Sequence, residues 1–130
     1  MLIEDYVKQL IHQLRVTQPV SIDEQRVIAC FLTMPLNIKA LDPGMRMWTA
    51  IAPCPLERRE ELFVLLMDGN LLGQGTEGGV LSLDPEGNFL TLTLDLPYDM
   101  NFEAFHEATE DFVNVAWYWK QQVEKHRKRL

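Results

Sequence analysis

The sequence predicts an α+β fold in which a twisted antiparallel sheet is flanked by helices. Amphipathic helical stretches lie at both ends and in the middle of the chain, and five short apolar or alternating stretches lie between them. Short turns within each group of strands favour antiparallel neighbours. The predicted order is helix, three strands, helix, two strands, helix (α-β-β-β-α-β-β-α), in one domain that spans residues 1–130.

The first helix and the first three strands are predicted from side-chain spacing. Residues 2–14 place their apolar side chains on one stripe at helical spacing. Pro19 ends this region, and strands are predicted at residues 26–32, 36–41 and 45–52. Successive side chains of the third strand point to opposite faces of the sheet. One of its faces carries Met45, Met47, Thr49 and Ile51, and the other carries Arg46, Trp48 and Ala50.

The central helix is predicted over residues 56–70, a stretch of strong helix formers that follows Pro55. On a helical wheel its apolar side chains cover well over 100° of arc, which is wider than one packing face requires. We therefore expect this helix to contact two partners, one of which is its own sheet.

Two strands and a long helix complete the chain. The strands are predicted at residues 79–83 and 89–96, and the final helix at residues 101–128. Its core stripe consists of Phe105, Phe112, Ala116, Trp119 and Val123. Trp117 and Tyr118 lie off this stripe, and exposed aromatic side chains are typical of contact surfaces.

The charge of the chain argues against a nucleic-acid partner. The formal net charge is −7, and the last eleven residues hold five Lys or Arg and one Glu, so residues 1–119 carry −11. A body this acidic repels phosphate groups and suits a basic partner. We interpret the basic end as complementing the C-terminal dipole of the last helix.

The sequence predicts a cytoplasmic protein with no membrane insertion. No apolar stretch approaches the roughly 20 residues of a membrane span. The first ten residues, MLIEDYVKQL, carry acids where a signal peptide needs a basic region. Cys30 and Cys54 are interpreted as reduced thiols, with a bridge between them left open.

The stretch Gly73-Gln74-Gly75-Thr76-Glu77-Gly78 matches the G-x-G-x-x-G spacing of dinucleotide-binding loops. In such loops a strand precedes and a helix follows, so that the helix N-terminus faces the phosphates. Here the predicted helix comes first, and its negative dipole end would face them. We therefore expect no nucleotide, and we interpret the glycines as turns that allow close backbone approach.

The sequence contains no arrangement of residues that is typical of a catalytic site. His12, His106 and His126 are scattered along the chain, and neither H-E-x-x-H nor G-x-S-x-G occurs. Cys30 lies in a predicted apolar strand, where a thiol is inert. We expect no catalytic residue, no metal site and no cofactor, so an enzyme is the least favoured class.

Residues 70–97, NLLGQGTEGGVLSLDPEGNFLTLTLDLP, combine several signals in a fixed order. A helix ends in Asn-apolar-apolar-Gly, and a Gly-rich passage, a strand, a D-x-x-G-like turn, an alternating strand and a proline follow. This block resembles the signature of the CesT/SycE-like type III secretion chaperones. The order of elements along nearly the whole chain is also similar to theirs.

The resemblance implies a dimeric protein of the bacterial cytoplasm that does not hydrolyse ATP. It would bind the N-terminal segment of a secreted effector in extended form and keep it soluble and competent for secretion. The dimer interface implied on the central helix consists of Leu56, Leu62, Phe63, Leu65, Leu66 and Met67. The implied effector-binding surface consists of Ile3, Val7, Leu10, Ile11, Leu14, Ile28, Met45 and Met47.

Two alternatives stay open at this point. Some relatives pair with a different chaperone, so a homodimer and a heterodimer are both consistent with the resemblance. The alternative function is a small dimeric adaptor or regulator that has the same fold but no secretion client. Chaperone function is physically reasonable, because a sheet edge can add an effector strand through main-chain hydrogen bonds and an acidic body favours a basic segment.

Overall fold

A computed structural model of the protein describes residues 21–22, 26–31, 34–41, 43–71, 75–97 and 99–128. The elements are β1 (Ser21–Ile22), β2 (Arg26–Phe31), β3 (Met34–Ala40), β4 (Met45–Pro53), α1 (Arg59–Asn70), β5 (Val80–Leu83), β6 (Phe89–Leu96) and α2 (Phe102–Lys128). The α+β class and the five predicted strands are confirmed. The helix predicted over residues 2–14 lies outside the described residues.

The six strands form one antiparallel sheet in the order β1-β2-β3-β4-β6-β5. Strand β4 is nine residues long and pairs with both β3 and β6. The two-residue strand β1 was not predicted, because two residues are too few to show a period. The edges of the described sheet are therefore β1 and β5.

The alternation along the strands separates two faces of the sheet. In the register, Met47 lies between Ile38 of β3 and Leu94 of β6, and Thr109 of α2 places its hydroxyl 4.0 Å from the Met47 sulfur. This face, which we call the helical face, is covered by α2. The next residue, Trp48, points to the opposite face, which we call the open face.

Helix α2 supplies the core stripe that its spacing predicts. Phe105, Phe112, Ala116, Trp119 and Val123 are all buried, and Tyr118 is exposed. The helix begins where the Asn101 side chain accepts a hydrogen bond from the Ala104 N–H at 2.8 Å. Such a cap stabilises a helix by about 1 kcal/mol.

The Gly-rich connection runs from the end of α1 to the start of β5, in the helix-to-strand order that the sequence predicts. The Trp119 indole N–H donates to the Gly75 carbonyl at 2.8 Å. A Cβ atom at Gly69 would lie 2.4 Å from the Trp119 ring. Glycine at 69 therefore permits a close approach between α1 and α2.

Candidate functional site

Helix α1 is apolar on two opposite sides. Leu62 and Leu66, four residues apart, are 0% and 6% exposed. Val64 and Met67, three residues apart, are 67% and 71% exposed, and Leu71 directly after the helix is also exposed. Residues two apart point to opposite sides of a helix, so Val64 and Leu66 cannot share one face. We call the exposed stripe of Val64, Met67 and Leu71 the α1 ridge, and exposed apolar stripes are typical of protein-contact surfaces.

The residues predicted for the dimer interface divide between two environments. Leu62 and Leu66 belong to the core of the protomer, Phe63 is half-buried, and Leu56, Leu65 and Met67 are exposed. Burial in the protomer leaves Leu62 and Leu66 no surface for a partner, so both are corrected to core residues. The wide apolar arc predicted for this helix therefore consists of two stripes, one in the core of the protomer and one on its surface.

Val64 completes the exposed stripe but was not among the predicted interface residues, although its spacing of three from Met67 places both on one side of the helix. Leu56 does not belong to the helix, because α1 begins only at Arg59. Arg58 before it adopts a left-handed backbone with φ of 57°, and its side chain pairs with Glu61. Glu60 and Glu61 in the first turn complement the positive end of the helix dipole.

The open face of the sheet carries a groove of about 550 Å³. All of its lining residues come from strands and turns: Pro35, Asn37, Arg46, Trp48, Ala50, Ser82, Leu83, Asp84, Pro85, Phe89, Thr91 and Thr93. Trp48 is half-buried and Phe89 is 43% exposed, so the groove offers aromatic surface beside hydroxyl and amide groups. This mixture suits an extended peptide, which presents side chains and main-chain polar groups together.

An ion pair bridges β4 and β6 on the open face. The Arg46 guanidinium donates to both carboxylate oxygens of Asp95, at 2.6 and 3.0 Å. These hydrogen bonds lower the pKa of Asp95, and the pair raises the pKa of Arg46. Both side chains are about half exposed, so solvent screens the pair and it contributes little to stability.

The predicted effector-binding residues fall into three groups. Ile3, Val7, Leu10, Ile11 and Leu14 lie outside the described residues. Ile28 lies in β2 opposite Asn37 of β3. Met45 and Met47 are 0% exposed on the helical face, and this burial removes them from any surface of the protomer. The alternation of β4 was predicted correctly, but the face that stays open carries Trp48.

In the part of the chain that the structure describes, no group of three or more His, Cys, Asp or Glu side chains could hold a metal ion. Cys54 is a free, buried thiol. None of the helices in the described ranges is long and apolar enough to cross a membrane.

The open-face groove and the α1 ridge are typical of a domain that contacts other proteins. A profile of the Tir chaperone protein (CesT) family matches residues 6–120. The chain therefore belongs to this family. No curated protein matches the chain in sequence.

Solved structures at 13–15% sequence identity share the fold. A chain of the HopA1–SchA chaperone–effector complex matches with a TM-score of 0.68 at 13% identity, over 91% of this chain and 92% of its own. A chain of the ExsC–ExsE complex matches with a TM-score of 0.69 at 15% identity, over 93% and 96%. The third, from the heterodimeric ExoU–SpcU complex of the Pseudomonas aeruginosa type III secretion system, has a TM-score of 0.65 at 14% identity, over 89% and 93%.

Proposed function

We propose that the protein is a type III secretion chaperone of the bacterial cytoplasm. It binds the N-terminal segment of a secreted effector in extended form and keeps the segment soluble and secretion-competent. It needs no ATP hydrolysis and catalyses no reaction, and residues 1–130 act as one domain. The observation that carries the proposal is the family match over residues 6–120. The open-face groove and the α1 ridge support it.

The client surface combines the open-face groove with the β2 edge of the sheet. Strand β1 pairs with β2 only at Val27 and Ile28. Within the described residues, no strand lies against residues 29–31 on the side away from β3. An extended segment can add to such an edge through main-chain hydrogen bonds while its side chains occupy neighbouring pockets. Ile28 and the predicted N-terminal helix remain part of this proposed surface.

The client itself is found by purifying a tagged chain from the native bacterium and identifying the proteins that accompany it. Trp48→Ala should then weaken binding of the client's N-terminal segment about tenfold or more. A few aromatic side chains supply most of the binding free energy of an interface, and truncating one of them removes its share. Isothermal titration gives the affinity. The control is Val80→Ala on the same face outside the groove lining. Equal affinity for both variants would exclude the groove, and the absence of any secreted protein would favour the adaptor alternative.

The α1 ridge forms the interface of a dimer, either with a second copy or with a related chaperone. Val64→Glu with Met67→Glu should shift sedimentation from dimer to monomer and leave the fold intact, because both side chains are largely exposed in the protomer. Gln121→Glu on α2 is the control for added surface charge. A double variant that sediments like the wild type would exclude the ridge, and a wild type that is monomeric alone would exclude the homodimer.

A further inference from the structure

The outer edge of β5 is occupied by a side chain instead of a strand. The Leu81 N–H donates to the Asn70 carboxamide oxygen at 2.7 Å. The Asn70 amide nitrogen donates to the Leu81 carbonyl at 2.8 Å. A neighbouring strand would pair with Leu81 through the same two groups, a carbonyl and an N–H. The Asn70 side chain therefore takes the place of a strand residue.

Gly79 is the preceding residue whose main-chain groups face this edge, and its N–H and carbonyl are also hydrogen-bonded within the chain. The Gly79 N–H donates to the Thr76 carbonyl at 3.1 Å, and the Thr76 hydroxyl donates to the Gly79 carbonyl at 2.6 Å. Main-chain groups alternate in direction along a strand, so those of Leu83 also point outward. Within the described residues, Leu83 alone among these three positions has no partner for its outward groups.

The sequence of β5 gives the edge no other protection. Exposed edges are usually blocked by charged side chains, proline or a bulge, because unpaired main-chain groups bind other strands. Strand β5 reads Val-Leu-Ser-Leu and has neither charge nor proline. Val80 and Leu83 are 54% and 38% exposed, so the exposed side chains of this strand include two apolar ones.

The Asn70 side chain is held in position by its neighbours. The Gly75 N–H donates to the Gly69 carbonyl at 3.1 Å, and Gly69 packs directly against the Trp119 ring. These contacts fix the last turn of α1 beside β5. We propose that Asn70 closes the β5 edge to strand addition and thereby prevents β5 of a second copy from pairing with it.

The test removes the amide and measures both consequences. Asn70→Leu should speed hydrogen exchange of the Leu81 amide on the order of tenfold, which is the effect of losing one hydrogen bond. Sedimentation velocity over a concentration series should show association beyond that of the wild type, through antiparallel β5–β5 pairing. The matched control is Asn88→Leu, which adds the same side chain to an exposed turn. The control should behave like the wild type.

Further measurements separate the proposal from a local structural role. Asn70→Leu combined with Val80→Lys should return the association state to that of the wild type, because a lysine on each edge opposes pairing.

Faster Leu81 exchange without added association at any concentration would overturn the proposal. If Asn70→Leu does not fold, the wild type decides the question. Its Leu81 amide should exchange about tenfold more slowly than the Leu83 amide, and equal rates would overturn the proposal.

Discussion

Leu62→Glu should abolish cooperative folding at neutral pH. Leu62 is 0% exposed between α1 and the sheet, and a charge at such a position has neither water nor a partner. The expected loss exceeds about 4 kcal/mol, a large part of the roughly 5–15 kcal/mol that stabilises a typical domain. Thermal melting followed by circular dichroism measures the effect. The loss of the transition should not depend on protein concentration, because the site lies inside the protomer.

Two comparisons identify burial as the cause of this effect. Leu62→Met preserves volume and apolarity and should cost less than about 1.5 kcal/mol. Val64→Glu adds the same charge two residues away on the exposed side and should still unfold cooperatively, losing at most what the proposed dimer would contribute. A Leu62→Glu variant that melts like Val64→Glu would contradict the division of α1 into a core side and a surface side.

Trp119→Ala should lower the free energy of unfolding by about 3–5 kcal/mol, the usual cost of truncating a buried aromatic side chain. Trp119 is 4% exposed, packs against Gly69 and donates to the Gly75 carbonyl. Its removal would open a cavity and release the Gly-rich connection in one step. Urea denaturation gives the free energy, and the melting temperature should fall on the order of 10–20 °C.

The neighbouring residue provides the control for Trp119. Tyr118 is 53% exposed and touches Trp119 edge-on, with 5.4 Å between the ring centroids. Tyr118→Ala should therefore cost only about 1 kcal/mol. Trp119→Phe would retain most of the ring and lose the hydrogen bond, which separates packing from the indole N–H. Equal losses for Trp119→Ala and Tyr118→Ala would show that Trp119 does not hold the connection.

The strands and their two faces could be predicted because alternation is a local property of the sequence. Periodicity shows that Met47 and Trp48 point in opposite directions, but it does not show which face a helix covers. That depends on where α2 packs, more than fifty positions along the chain. The sequence therefore predicted Met45 and Met47 for the effector surface, whereas the helical face buries both and Trp48 lies on the open face.

The same limit applies to α1 and to the Gly-rich connection. The wide apolar arc predicted two contacts for α1, but both sides of the helix are apolar, so composition could not tell Leu66 from Val64. The sequence predicted that the connection leads from a helix to a strand, because the helix before it and the strand after it were both predicted. Its contact with Trp119 could not be predicted, since the indole and the Gly75 carbonyl are 44 positions apart.

The division of the sheet into a covered face and an open face has an evolutionary consequence. From Met45 to Ala50 along β4, substitutions at odd positions change core packing, whereas substitutions at even positions change the open face. The two sets of positions can therefore drift under separate selection, with little epistasis between them. A lineage can alter the open face while the core keeps its volume. Shared folds at identities of 13–15% fit this mode of divergence.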